Sequence, residues 1–189
     1  MSLGWHFQST PASYTALSLA TGVAVCRSLQ RLGITNAGLK WPNDIISEGK
    51  KLGGILLESR SETAGCSDVV IGIGINVDLP EQVLNTISQA VTDTSKLTQQ
   101  IISRNKLVGY LIEDLLHMLK EYQEHGFASC IQEWRQLDEL KGRDADLILP
   151  NETLSGKILG IDESGLLLML IAGESRSFSS GELSLRVHT

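Results

Sequence analysis

The chain has 189 residues, 42% of them hydrophobic, enough for one domain with a real core or one domain with a small appendage. Its formal net charge of −6 argues against a broad nucleic-acid surface. No basic amphipathic stretch and no apolar run of bilayer length speaks for a membrane role. The three widely spaced cysteines, Cys26, Cys66 and Cys130, form no metal-ligand pattern. The opening Met1-Ser2-Leu3-Gly4-Trp5-His6 lacks a basic leader and an apolar signal core. A reduced, cytoplasmic setting is therefore the expectation.

Leu3 to Phe7 reads as a short strand. Thr10-Pro11 offers a capping hydroxyl and a proline suited to the first helical position. With Leu17, Ala20 and Ala24 at helical spacing and Gly33 as a stop, this predicts a helix from about Pro11 to Leu32. Leu39 to Trp41 and Asp44 to Glu48 are short strands around Pro42, and Glu48-Gly49-Lys50 is a turn. Gly54 to Glu58 is the next strand, and Ser61 to Asp68 reads as a loop. The unbroken β-branched run from Asp68 to Val77 predicts a strand buried on both faces. Leu79 to Gln99 has weak periodicity, which suggests loop and short helix. Ser103 then opens a strong helix with a stripe of Leu107, Leu111, Leu115, Met118 and Tyr122, closed by Gly126. Phe127, Ile131 and Trp134 extend it into a second short helix.

The character changes near Leu140. Strands at Ala145–Leu149, Leu154–Leu159, Leu166–Ile171, Ser175–Phe178 and Glu182–Val187 alternate with tight turns, which predicts a small β-barrel.

Three segments can carry chemistry. In Lys40-Trp41-Pro42-Asn43-Asp44 the proline fixes the backbone and favours an extended Trp41, so Asn43 and Asp44 can present their side chains. The plain alternative is an Asx-type turn between strands. Lys51 follows in Lys51-Leu52-Gly53-Gly54-Ile55-Leu56, where an ammonium could neutralise a phosphate while Gly53 and Gly54 admit a ligand close to the backbone. The alternative is a solvated hairpin lysine. In Ile71-Gly72-Ile73-Gly74-Ile75-Asn76 the alternate glycines clear one strand face for a flat ligand, with Asn76 at the strand end. The alternative is close packing under the long helix. No third glycine and no following helix make it a dinucleotide fingerprint.

Together these segments, with Gly160-Ile161-Asp162-Glu163-Ser164-Gly165 and the terminal Gly181-Glu182-Leu183-Ser184-Leu185-Arg186, resemble the biotin–protein ligases, the biotin–[acetyl-CoA-carboxylase] ligases. The resemblance implies an α+β catalytic domain over 1–139, with a mixed sheet packed by helices as in class II aminoacyl-tRNA synthetases, and an SH3-like barrel over 140–189. It implies an enzyme that uses ATP and Mg²⁺ to convert biotin to biotinyl-5′-adenylate and passes biotin to a lysine of a biotin carboxyl carrier protein. Lys51 would be the fixed positive charge between carboxylate and phosphate. Asp44 would sit at the biotin–adenylate linkage, and Gly54, Gly72 and Gly74 would line the biotin slot. Asn76 would lie near the phosphates and Mg²⁺, and Arg186 would reach towards the nucleotide. Lys40 and Trp41 would hold the turn.

The family's Gly-Arg-Gly-Arg-x-Gly-Arg loop, which supplies arginines to the adenylate, does not occur in these residues, nor does a DNA-binding winged helix. The expectation is a shortened ligase with weak or no adenylation activity alone. An exposed sheet edge and apolar surface favouring a homodimer are also expected. A biotin- or carrier-binding module without catalysis and a lipoate-ligase relative are the competing readings.

Overall fold

The computed structural model describes residues 1–9, 11, 13–61, 67–84, 87, 89–180 and 184–188. Five strands make the first sheet: β1 (Ser2–Phe7), β2 (Ala37–Lys40), β3 (Asp44–Ser47), β4 (Lys50–Ser61) and β5 (Ser67–Ile75), in the order β1-β5-β4-β3-β2. Every ladder in it is antiparallel, not mixed as expected. The reason is connectivity: β2 to β5 succeed one another through short links, and parallel neighbours need a long crossover. The one long crossover joins β1 to β2, which lie at opposite edges.

That crossover carries α1 (Tyr14–Gln30), nearly all of it buried. Its cap is Ser13, whose hydroxyl accepts from the Ala16 N–H, so the helix starts after the expected Thr10-Pro11; Thr10 lies outside the described residues. Gly22 lets the helix press on the sheet, since a Cβ there would meet Leu39 Cδ2 at 2.9 Å. The helix α4 (Arg104–His125) is capped by Ser103 as the sequence predicts, and buries Leu107, Leu111, Leu115, Met118 and Tyr122. Asp114 on its flank accepts from the Ser28 hydroxyl at 2.6 Å, which ties it to α1. Two short helices, α2 (Glu81–Leu84) and α3 (Thr94–Thr98), punctuate the segment before it. A 3₁₀ turn (Gly126–Ser129) and α5 (Ile131–Leu137) follow, with Trp134 in the core.

The helices cover one face of the sheet only. On β5 the even-numbered positions point away: Val70 is 42% exposed, whereas Val69, Ile71 and Ile73 are buried. The expectation of a strand buried on both faces is thus corrected. The β-branched run hides a true alternation, because Val70 is apolar yet faces outward. For the same reason Gly72 and Gly74 do not sit under the helices.

The second sheet holds β6 (Asp144–Ile148), β7 (Thr153–Ile161), β8 (Leu167–Ile171), β9 (Glu174–Phe178) and β10 (Ser184–Val187), antiparallel in the order β10-β6-β7-β8-β9. Among the described residues its ladders leave β9 and β10 unpaired with each other, so it is an open sheet. Ala145, Leu147, Ile158, Leu167, Met169 and Leu185 form its core. Its Asp162–Gly165 turn docks on the first unit: the buried Trp41 donates from Nε1 to the Gly165 carbonyl at 3.0 Å. A Cβ on Gly165 would stand 3.1 Å from Leu19 and 3.2 Å from Ala16 of α1. Among the described residues no helix is long and apolar enough to cross a membrane.

Candidate active site

Strand register puts the predicted residues side by side. Asp44 pairs with Gly54, and Gly54 pairs with Gly74, so the three form one row across β3, β4 and β5. Gly72 pairs with Leu56 in the next row. All lie on the open face. A Cβ on Gly74 would meet nothing within 4 Å, so the space above it is free. Gly53 is different. Its Cβ would stand 2.4 Å from the Gly74 carbonyl oxygen, so this glycine serves strand packing rather than the ligand approach the sequence suggested.

A bulge between Ile45 and Ile46 brings Lys51 into the Asp44 row. Lys51 Nζ lies 2.5 Å from Asp44 Oδ1, with the lysine side chain 32% and the aspartate 19% exposed. The pair overhangs Gly54, where a Cβ would be 3.6 Å from both Lys51 Nζ and Asp44 Oδ1. A half-buried ion pair beside bare backbone is a place where an incoming anion can share the ammonium and be shielded from water.

The backbone of Lys51 is held on its other edge. Its N–H donates to the Ala90 carbonyl and its carbonyl accepts from the Thr92 N–H, both at 2.9 Å. Asn76 Nδ2 donates to the carbonyls of Thr92 at 3.0 Å and Lys51 at 3.3 Å, which turns Oδ1 the other way. Asp93 anchors this strip. Burial opposes its charge, yet the Ser95 hydroxyl and the N–H groups of Lys96 and Leu79 all donate to the carboxylate and hold it below its usual range. No motif in the sequence pointed to Asp93; a buried acid three residues before Lys96 is a helix cap, and its link to Lys51 exists only in space.

Arg186 stands on the exposed side of β10, in register with Asp146. The inter-sheet cleft beside the Lys51–Asp44 pair, about 290 Å³, is lined by Lys40, Asp44, Lys51, Arg143, Val187 and His188 among others, with Arg143 as its guanidinium. Sequence reading missed Arg143 and placed Lys40 in a supporting role. The described cysteines are remote from this chemistry: burial first, then Glu133, pushes the Cys26 thiol up to about 12. Burial likewise pushes Cys130 up to about 11.

With this geometry in place, the comparisons are specific. Residues 3–76 match the Biotin/lipoate A/B protein ligase family, and residues 146–186 match the Biotin protein ligase C terminal domain. Over these two stretches the chain belongs to the biotin protein ligase family. It is 32% identical over 190 residues to the Bifunctional ligase/repressor BirA of Escherichia coli (strain K12), across 98% of this chain and 58% of that protein. It is 29% identical to the Biotin--[acetyl-CoA-carboxylase] ligase of Mycobacterium tuberculosis, across 88% of this chain and 61% of that one. The chain thus spans about three fifths of these relatives. Among solved structures, the Aquifex aeolicus biotin protein ligase in complex with biotin and ATP superposes with a TM-score of 0.80 at 25% identity, over 99% of this chain and 79% of that one.

Proposed function

We propose that the chain works as a biotin–protein ligase. The biotin carboxylate attacks the α-phosphorus of ATP, the bond to the β-phosphate breaks, and pyrophosphate leaves behind biotinyl-5′-adenylate. A lysine amine of a biotin carboxyl carrier protein then attacks the acyl carbon, loses its proton, and AMP departs. The observation that carries this reading is the Lys51–Asp44 pair poised over Gly54, in register with the open Gly74.

Lys51 would offset the repulsion between carboxylate and α-phosphate, the central electrostatic task of the first step. Asp44 would fix the ammonium, and Gly54, Gly72 and Gly74 would let the flat ureido ring lie against backbone. Asn76, its amide nitrogen spent on two carbonyls, would turn Oδ1 to a hard cation brought in by the phosphates. Among the described residues no cluster of three or more His, Cys, Asp or Glu offers a dedicated cage. Such a fit suits Mg²⁺ arriving with ATP, where it would neutralise phosphate charge. Arg186 would serve the nucleotide from the second unit. In this reading residues 1–139 are the catalytic domain and 140–189 an SH3-like barrel, a division supported by the separately hydrogen-bonded second sheet that begins after Leu140. The enzyme would be cytoplasmic, and self-association as a homodimer would use an exposed sheet edge.

Calorimetry on the full chain tests the reading. Biotin and a non-hydrolysable biotinyl-adenylate should each bind, without competition from lipoate. Failure of both to bind at millimolar concentration overturns it.

A further inference from the structure

The cleft between the two sheets carries more positive charge than the Lys51–Asp44 pair needs. Lys51 is matched by Asp44, and His188 lies 3.0 Å from Asp146. Lys40 and Arg143 also line the cleft, and among the described residues neither has a carboxylate partner within ion-pair distance. Among the described residues Asp44 is the sole carboxylate of its lining.

The placement of these two cations is built into the backbone. Lys40 ends β2, and its neighbour Leu39 accepts from the Glu139 N–H at 3.1 Å and bridges to Asp138. Gly38 makes this approach possible, because a Cβ there would stand 2.3 Å from Glu139 Cγ. From Glu139 the chain runs through a tight turn. Leu140 donates its N–H to Asp138 Oδ1 at 2.9 Å, and Gly142 takes φ +84°. The Arg143 N–H donates to the Leu140 carbonyl, and its own carbonyl accepts from Ile158 at 2.9 Å. Lys40 and Arg143 are thus fixed to one seam from opposite sides. Lys40 is half-buried and Arg143 exposed, and two cations without carboxylate partners on the wall of one cleft give an anion a place to settle.

We infer that Lys40 and Arg143 form a second anion subsite, beyond Lys51, that takes the pyrophosphate portion of the nucleotide and holds pyrophosphate after it leaves. The inference rests on the ligase reading. It orients the reactants: the glycine floor takes the apolar acid, Lys51 marks the point of bond exchange, and the leaving group lies towards the second sheet. It also gives that sheet a part in the first step through Arg143 rather than through Arg186 alone.

The test is calorimetric titration of inorganic pyrophosphate into the full chain, with biotin titrated separately into the same protein. Arg143→Gln and Lys40→Gln should each weaken pyrophosphate by at least 5-fold. Arg143→Lys, which keeps the charge, should stay within about 3-fold of wild type. Arg176→Gln, the same charge loss on β9 away from the cleft, should change it less than 2-fold. Circular dichroism melts of all variants check that the fold is retained. Pyrophosphate binding that ignores Arg143→Gln and Lys40→Gln, follows Arg176→Gln equally, or is absent from the wild type overturns the inference. The biotin titration reports separately on the ligase reading, so either can fail while the other stands.

Discussion

The two faces of the first sheet are built from the same strands and do opposite work. The helix-covered face presents Leu52, Ile55, Val69, Ile71 and Ile73, all buried. The open face presents Gly54, Gly72 and Gly74, flanked by Leu56 at 63% exposure and by the Lys51–Asp44 pair. A strand alternates its side chains, so one sequence can pack a core and clear a binding floor with consecutive residues. The glycines are costly for strand stability and offer no side chain to the core, so their value lies in the space they leave.

The comparison predicts unequal responses to substitution. The largest belongs to the covered face. Ile71→Ala should cost about 2–5 kcal/mol, because it removes buried methyls and leaves a cavity. Val70→Ala, one residue along and facing outward, should cost no more than about 0.5 kcal/mol. Urea denaturation of both variants reads the difference directly, and equal midpoints would break the two-face account. Next comes Lys51→Gln, which should keep the protein folded at a cost of about 1–3 kcal/mol in urea denaturation, because it leaves the half-buried Asp44 without its partner. It should also weaken a biotinyl-adenylate analogue at least 10-fold by calorimetry, about 1.4 kcal/mol. A variant that loses stability but not affinity would make Lys51 structural.

Gly74→Val sharpens the claim about empty space. Nothing lies within 4 Å of the added Cβ, so the strand should accept a β-branched residue. Biotin affinity should nevertheless fall about 5- to 10-fold, since the isopropyl group fills the ligand's room. The smallest effect concerns the clamp behind Lys51. Asp93→Ala removes a helix cap and should cost about 1 kcal/mol at pH 7. The carboxyl of Asp93 is held below its ordinary range in the folded protein. Its stabilisation is therefore fully present above the ordinary carboxylate range and is lost as pH falls through the lowered folded value. The gap between wild type and Asp93→Ala should narrow on acidification, which denaturant melts at pH 7 and below pH 3 will show. A gap that widens would contradict the assigned hydrogen bonds.

Much of this was legible in the sequence for physical reasons. The stripe from Leu107 to Tyr122 with Ser103 and Gly126 at its ends dictates α4, because period and caps agree. The family resemblance grouped Asp44, Gly54 and Gly74 around one ligand, but neither their shared row nor the bulge that swings Lys51 onto Asp44 follows from the motifs. The facing of β5 was misread, since Val70 and Val69 are equally apolar and only the placement of α1 separates them. The start of α1 at Ser13 escaped because Thr10-Pro11 is an equally good local signal. Gly53 and Gly54 look alike on paper, yet one accommodates a carbonyl and the other an ion pair. Arg143 and Asp93 owe their positions to contacts across Leu39–Glu139 and Lys51–Thr92, which no local pattern encodes.

The most direct measurement follows backbone amides by two-dimensional NMR while biotin is added to the full chain. The account predicts that Gly54, Gly72 and Gly74 shift together with Lys51, with little change in the amides of α4, such as Leu111 and Leu115. Shifts that leave the glycines untouched and gather instead around the groove of Phe7, Tyr122 and Phe127 would contradict it.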